Sequence, residues 1–81
     1  MAEPGLNRPE RAALVLFQRF EVTCPGGNLR LVDFFDQAEF VGLSCRELEG
    51  GIRGLVGRGF LRPTDVPRDA FALTDAGAEA L

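Results

Sequence analysis

Ser44 and Cys45 place a hydroxyl and a thiol side by side in this 81-residue chain, but no general base accompanies them. The chain has no His, Lys or Tyr, and a Ser or Cys nucleophile needs a neighbouring base or an activating charge. Cys24 and Cys45 have neither the CxxC spacing nor the histidines of a zinc site. We therefore expect no enzyme activity, no metal site and no cofactor.

The two cysteines are expected to be reduced and partly buried, because a free cysteine behaves as a small apolar residue. A disulfide or a reactive thiol is the alternative. The glycines of the sequence GGIRG, residues 50–54, follow no predicted strand and fall inside a predicted helix. They therefore do not predict a phosphate-binding loop.

Arginine supplies all nine basic side chains, against twelve acidic ones, and the net charge is −3. Arg46 and Arg53 lie one heptad apart on the same predicted helix face, where either could bind guanine edges or phosphates of DNA. The alternative is an ordinary solvated surface. Arg53 follows Glu49 by four residues, which is the spacing of a weak surface ion pair.

A helix over residues 44–58 must position these arginines. Ser44 as N-cap and Glu47 three residues later form a capping box, and Gly59 supplies the stop. At 100° per residue the inner face carries Cys45, Leu48, Ile52, Leu55 and Gly59. The outer face carries Arg46, Glu47, Gly50, Arg53, Gly54 and Gly57.

Four glycines in this helix each cost about 0.8–1 kcal/mol relative to alanine. Three interpretations of the glycine face stay open. It lets a phosphate backbone approach closely, it lets another protein approach closely, or it reflects neutral drift in a glycine-rich proteome.

The remaining elements give an α+β chain. Residues 1–6 are expected to be a mobile lead and residues 7–81 a single domain. Asn7, Pro9 and Glu10 predict the start of a first helix that runs to about Val22, with apolar positions at Ala13, Leu14, Leu16, Phe17 and Phe20. A very short strand over 29–31 and a helix over 32–41 follow, and Phe34, Phe35, Ala38 and Val41 are expected to face inward.

The C-terminal part predicts a hairpin and a last helix. Strands beginning at Phe60 and at Ala70 flank a polar turn over 63–69, in which Asp65 and Asp69 offset Arg62 and Arg68. The turn is either a minor-groove contact or a soluble loop. Thr74 then caps a helical segment over 75–81.

The sequence over residues 31–81 resembles winged helix-turn-helix regulators of the bacterial MarR and PadR type. Leu55, Gly59, Phe60 and Leu61 match the Leu-x-x-x-Gly-apolar-apolar step, and Leu73, Thr74 and Gly77 match Leu-Thr-x-x-Gly. The resemblance implies a small winged helix-turn-helix fold: three helices, a short β-hairpin wing and a short C-terminal helical segment. It also implies a homodimeric transcriptional regulator that binds double-stranded DNA.

Two functions are therefore expected. The first is DNA binding through the helix over 44–58 and the wing over 61–72, with the site residues Ser44, Arg46, Glu47, Gly50, Arg53, Gly54, Arg62 and Arg68. The second is a winged-helix protein-interaction module that docks through its glycine face or its acidic second helix. With no apolar run of membrane-spanning length and no signal-peptide pattern, a cytoplasmic location is expected.

Overall fold

The computed structural model describes residues 5–66 and 68–81. Its helices and strands follow the order α1 (Arg8–Arg19), β1 (Asn28–Arg30), α2 (Leu31–Asp36), α3 (Cys45–Gly57), β2 (Leu61–Thr64), β3 (Ala70–Leu73) and α4 (Asp75–Ala80). The predicted α+β class is confirmed. Residues 1–4 of the predicted lead, and Pro67 of the predicted turn, lie outside the described residues.

Helix α1 begins at the predicted capping box. The Asn7 side chain accepts from the Glu10 N–H at 2.9 Å, and Glu10 Oε1 accepts from the Asn7 N–H at 2.9 Å. The helix ends three residues earlier than predicted, because Glu21 takes a positive φ of 60°. The Glu21 N–H then bonds the Gln18 carbonyl and the Val22 N–H bonds the Phe17 carbonyl, which is a Schellman ending.

Strand β1 and helix α2 also differ from their predicted bounds. The strand is shifted one residue earlier, and Leu31 already belongs to α2. Helix α2 ends at Asp36 rather than Val41, since the Gln37 and Ala38 N–H groups bond carbonyls three residues back. Hydrogen-bonded turns continue to Gly42, whose φ of 73° suits glycine and ends the segment as predicted.

The three strands form an antiparallel sheet in the order β1-β3-β2. In register, Phe71 lies between Leu29 and Pro63, and Leu61 pairs with Leu73. Side chains alternate across a strand. The five residues just named therefore face the helices, and the strand residues between them face away. Strand β2 begins at Leu61 instead of Phe60, because the Phe60 N–H bonds the Leu55 carbonyl at the end of α3.

A single core joins the helices to the inner face of the sheet. The rings of Phe17 and Phe34 meet edge to face at its centre, with 5.5 Å between centroids, a geometry that adds about 1 kcal/mol beyond burial of their area. Two predicted core positions are wrong: Phe20 is 40% exposed and Cys45 is exposed. The buried apolar cluster comprises Ala13, Leu14, Leu16, Phe17, Leu29, Phe34, Ala38, Leu43, Leu48, Ile52, Leu55, Leu61 and Leu73.

The C-terminal helix α4 starts at the predicted cap. The Thr74 side chain accepts from the Gly77 N–H at 3.1 Å, and its hydroxyl donates to the Gly59 carbonyl at 2.6 Å. A Cβ at Gly77 would overlap the carbonyl of Phe60. Gly77 is therefore required by the close approach of α4 to the chain that leaves α3.

Candidate nucleic-acid interface

Helix α3 is held at both ends by its own sequence. Ser44 Oγ accepts from the Glu47 N–H at 3.1 Å, and Glu47 Oε1 accepts from the Ser44 N–H at 3.0 Å. Gly59, with a φ of 81°, allows the Schellman ending in which Phe60 bonds Leu55. The predicted start and stop of α3 are both confirmed, and the arginines between them lie on a well-defined helix.

One side of α3 packs against the start of α1. A Cβ at Gly51 would overlap the backbone carbonyl of Pro9 and lie 2.8 Å from the Glu10 nitrogen. A Cβ at Gly54 would overlap the Glu10 carboxylate. Gly54 was predicted on the outer face, and that placement is wrong, because α1 crosses α3 on this side.

An ion pair between buried Glu10 and the more exposed Arg58 closes the same contact. Glu10 is 3% exposed, and its Oε2 accepts from Arg58 Nε at 3.0 Å. Arg58 Nη2 also donates to the Gly5 carbonyl at 3.2 Å. No local pattern in the sequence predicts this pair, because its members are 48 residues apart.

The opposite side of α3 is open, and we call it the outward stripe: Arg46, Gly50, Arg53 and Gly57. All four residues are exposed, and added Cβ atoms at Gly50 and Gly57 would meet no described residue within 4 Å. Arg53 Nη2 donates to Glu49 Oε2 at 3.1 Å, which confirms the predicted ion pair. The Arg53 side chain is nevertheless 76% exposed.

The hairpin of β2 and β3 lies next to α3. Its two predicted DNA-binding arginines lie in different parts of the hairpin. Arg62 is exposed but follows buried Leu61, so its side chain leaves the sheet on the face away from the helices. Arg68 is exposed in the connecting turn. The backbone carbonyl of Asp69 accepts from the Leu31 N–H at 2.7 Å, which ties the return of the turn to the start of α2.

A groove of about 440 Å³ separates α3 from the hairpin. Val56, Pro63 and Phe71 give it an apolar lining, and the remaining lining residues are Glu49, Arg53 and Gly57. Tertiary packing thus brings the ion pair of Glu49 and Arg53 next to the apolar lining of the groove. The sequence placed these residues on separate elements and did not predict the groove.

Arg8 is a basic residue beside the interface that the sequence analysis missed. Its Nη2 lies 3.3 Å from the position of a Cβ at Gly42, next to the turn that leads into α3. The Ser44 backbone N–H holds the pKa of Glu47 below its usual value, and the Ser44 side chain and the charge of Arg8 act in the same direction. Arg8 therefore adds positive potential near the first turn of α3.

Charges of both signs surround the outward stripe and the hairpin. Five arginines face four carboxylates across this region, so its field is close to neutral. These residues are Arg8, Arg46, Arg53, Arg62 and Arg68, with Glu47, Glu49, Asp65 and Asp69. Any attraction for a polyanion must therefore come from local placement of the arginines rather than from net charge.

The cysteines correct the expectation of partly buried thiols. Cys24 and Cys45 are both free and exposed. The disulfide alternative is absent from the structure. Within residues 5–66 and 68–81, no group of three or more His, Cys, Asp or Glu side chains comes together in a way that could hold a metal ion.

The helices of the described residues include none that is long and apolar enough to cross a membrane. Comparisons of the chain with protein-family models, with curated proteins and with solved structures find no match. The function of the interface therefore has to be inferred from its own residues.

Proposed function

We propose that the chain is a winged helix-turn-helix domain that binds double-stranded DNA, as its resemblance to MarR- and PadR-type regulators implies. The order α2, turn, α3, hairpin supports this proposal, as does the pairing of β1 with β3 beside the hairpin. In such domains the second helix of the pair enters the major groove. Helix α3 takes that role here, and the hairpin takes the role of the wing.

The observation that carries the proposal is the outward stripe of α3. Two exposed arginines alternate with two glycines that have open space around them. A major groove about 12 Å wide admits an α-helix, and a helix without side chains at two positions approaches the groove floor more closely. Neither glycine is required by a contact within the described residues, so a partner accounts for them better than packing does.

Phosphate contacts come from arginines at the edges of this stripe. Arg8 lies beside the turn into α3, and Arg68 lies in the turn of the hairpin. Contacts of this kind hold a protein in register on the duplex without reading its sequence. Because nearby carboxylates offset them, we expect modest affinity that depends strongly on salt.

Fluorescence anisotropy of a labelled duplex, titrated with the full chain at several salt concentrations, tests the proposal. Phosphate contacts from Arg8 and Arg68 predict a slope of about −2 in log affinity against log salt, and Arg68→Ala lowers its magnitude by about 1. Arg62→Ala has a smaller effect, because its side chain faces away from α3.

Arg11→Ala is the matched control, since Arg11 lies beside Ala80 and Leu81 rather than beside α3. It removes the same charge and is expected to leave the slope unchanged. If micromolar protein binds no duplex at the lowest salt, the proposed function is wrong.

Docking of another protein is a second candidate function, and the apolar groove between α3 and the hairpin favours it. Pro63→Gln separates the two functions. Pro63 is exposed and lines the groove, so a polar side chain there weakens docking on the apolar lining. The variant changes no charge and no residue of the outward stripe, so it leaves DNA binding unchanged if the first function is correct.

A further inference from the structure

The outward stripe of α3 holds two side chains that can read bases, with a gap between them. Arg46 and Arg53 are exposed, and Gly50 lies about one helical turn from each. The carboxylates beside them already have partners, because Glu47 accepts from the Ser44 N–H and Glu49 accepts from Arg53. Of the four residues in the stripe, the two arginines alone have side chains that can donate hydrogen bonds.

A guanidinium group selects guanine from the other bases of the major groove. Two parallel N–H groups match the O6 and N7 acceptors of guanine, whereas adenine places a donor at the first of these positions. Arg53 has five N–H donors and uses one of them with Glu49. Glu49 therefore acts as a positioning residue that restricts Arg53 while leaving donors for a base.

The spacing of the two arginines limits the spacing of their bases. Seven residues span about 10.5 Å of helix axis, and base pairs rise about 3.4 Å along the duplex. In zinc fingers, helix positions −1 and 6, which are about six residues apart, contact bases about two steps apart. Arg46 and Arg53 thus reach bases about two or three steps apart.

We infer that α3 recognises two guanines about two or three base pairs apart, one through Arg46 and the other through Arg53. The base pairs between them lie opposite Gly50 and are not read by a side chain of the stripe. This inference rests on the proposed DNA binding and adds the base identity and spacing of the target.

Selection of duplexes from a randomised library by the full chain is the first test. We expect the selected sites to share two guanines at a fixed separation of about two or three steps. Replacing either guanine by adenine in a selected duplex should weaken binding by about 5- to 150-fold.

Lysine variants assign each guanine to its arginine. Arg46→Lys and Arg53→Lys keep the positive charge but lose the planar pair of donors. Each is expected to weaken discrimination at one guanine, because lysine donates without the rigid fork of arginine. Each should keep full discrimination at the other guanine and leave the salt dependence nearly unchanged. Arg11→Lys is the control and is expected to keep discrimination at both.

The outcomes separate this inference from the proposed function. If the chain binds duplex DNA without a guanine preference, or if neither lysine variant weakens discrimination at either guanine, the guanine pair is wrong while DNA binding stands. If no duplex binds at low salt, the proposed function fails and the guanine pair fails with it.

Discussion

Two sides of helix α3 carry glycines for opposite reasons. On the side that faces α1, Gly51 and Gly54 lie where any Cβ would overlap Pro9 or Glu10. On the outward stripe, Gly50 and Gly57 have open space, and none of the described residues lies where it would exclude a side chain. Each glycine weakens the helix by about 1 kcal/mol relative to alanine, but only the first pair gains close packing in return.

The difference shows that glycines on two sides of the same helix can have different roles. Gly51 and Gly54 belong to the fold because they let α1 and α3 approach. Arg58 belongs to it because it pairs with the buried Glu10 carboxylate. Gly50 and Gly57 remain available to a partner. Substitutions on the two sides of α3 should therefore change the free energy of unfolding differently.

Gly51→Ala should destabilise the protein most, by about 3 kcal/mol, because overpacking against backbone forces the two helices apart. Gly50→Ala, one residue away, should instead stabilise it by about 1 kcal/mol through helix propensity. Urea unfolding followed by circular dichroism measures both. Equal effects of the same sign would show that the two sides of α3 do not differ.

Arg58→Ala should cost about 2 kcal/mol, since it leaves the Glu10 carboxylate buried without its ion-pair partner. Arg53→Ala removes an exposed pair and should cost only a few tenths, about 0.3 kcal/mol. The same unfolding assay compares them. A loss for Arg53→Ala as large as that for Arg58→Ala would contradict the assignment of Arg53 to the surface.

Ser44→Ala should cost about 1 kcal/mol, because the first turn of α3 loses its N-cap acceptor. Ser44→Asp, which keeps an acceptor at the cap, is the control and should retain most of the stability. If alanine and aspartate behave alike, the capping box does not determine where α3 begins.

The smallest expected effect is a change in pH dependence at Glu47. Its pKa is lowered in the folded state, so its contribution to stability is complete above the ordinary value of about 4.5 and is lost as pH falls through the folded-state pKa. Glu47→Gln keeps an acceptor but removes the titration. Wild type should therefore keep its advantage over this variant above about pH 4.5 and lose it as pH falls below that value; a difference that stays constant as the solution is acidified would exclude the effect.

Local signals in the sequence were sufficient for the starts of α1, α3 and α4, but not for that of α2. The capping boxes at Asn7 with Glu10, and at Ser44 with Glu47, lie where predicted, because each depends on residues three positions apart. The inner face of α3 was also predicted through Leu48, Ile52 and Leu55. These features depend on helix periodicity, which is visible along the chain.

Tertiary contacts accounted for the errors. Gly54 was assigned outward because helix periodicity does not say where a second helix crosses. Cys45 is the first residue of α3 and is exposed, although helix periodicity places it on the inner face. Glu21 ended α1 early through a positive φ that is uncommon for glutamate.

The most direct test of the account is the affinity of the full chain for a duplex of about 20 base pairs, measured at about 50 mM salt for the wild type and for Arg46→Ala/Arg53→Ala. The double variant should stay folded, with the unfolding free energy within about 0.5 kcal/mol of wild type. We predict that it binds at least about 10-fold more weakly. Equal affinity of the two proteins would contradict the claim that the outward stripe binds DNA.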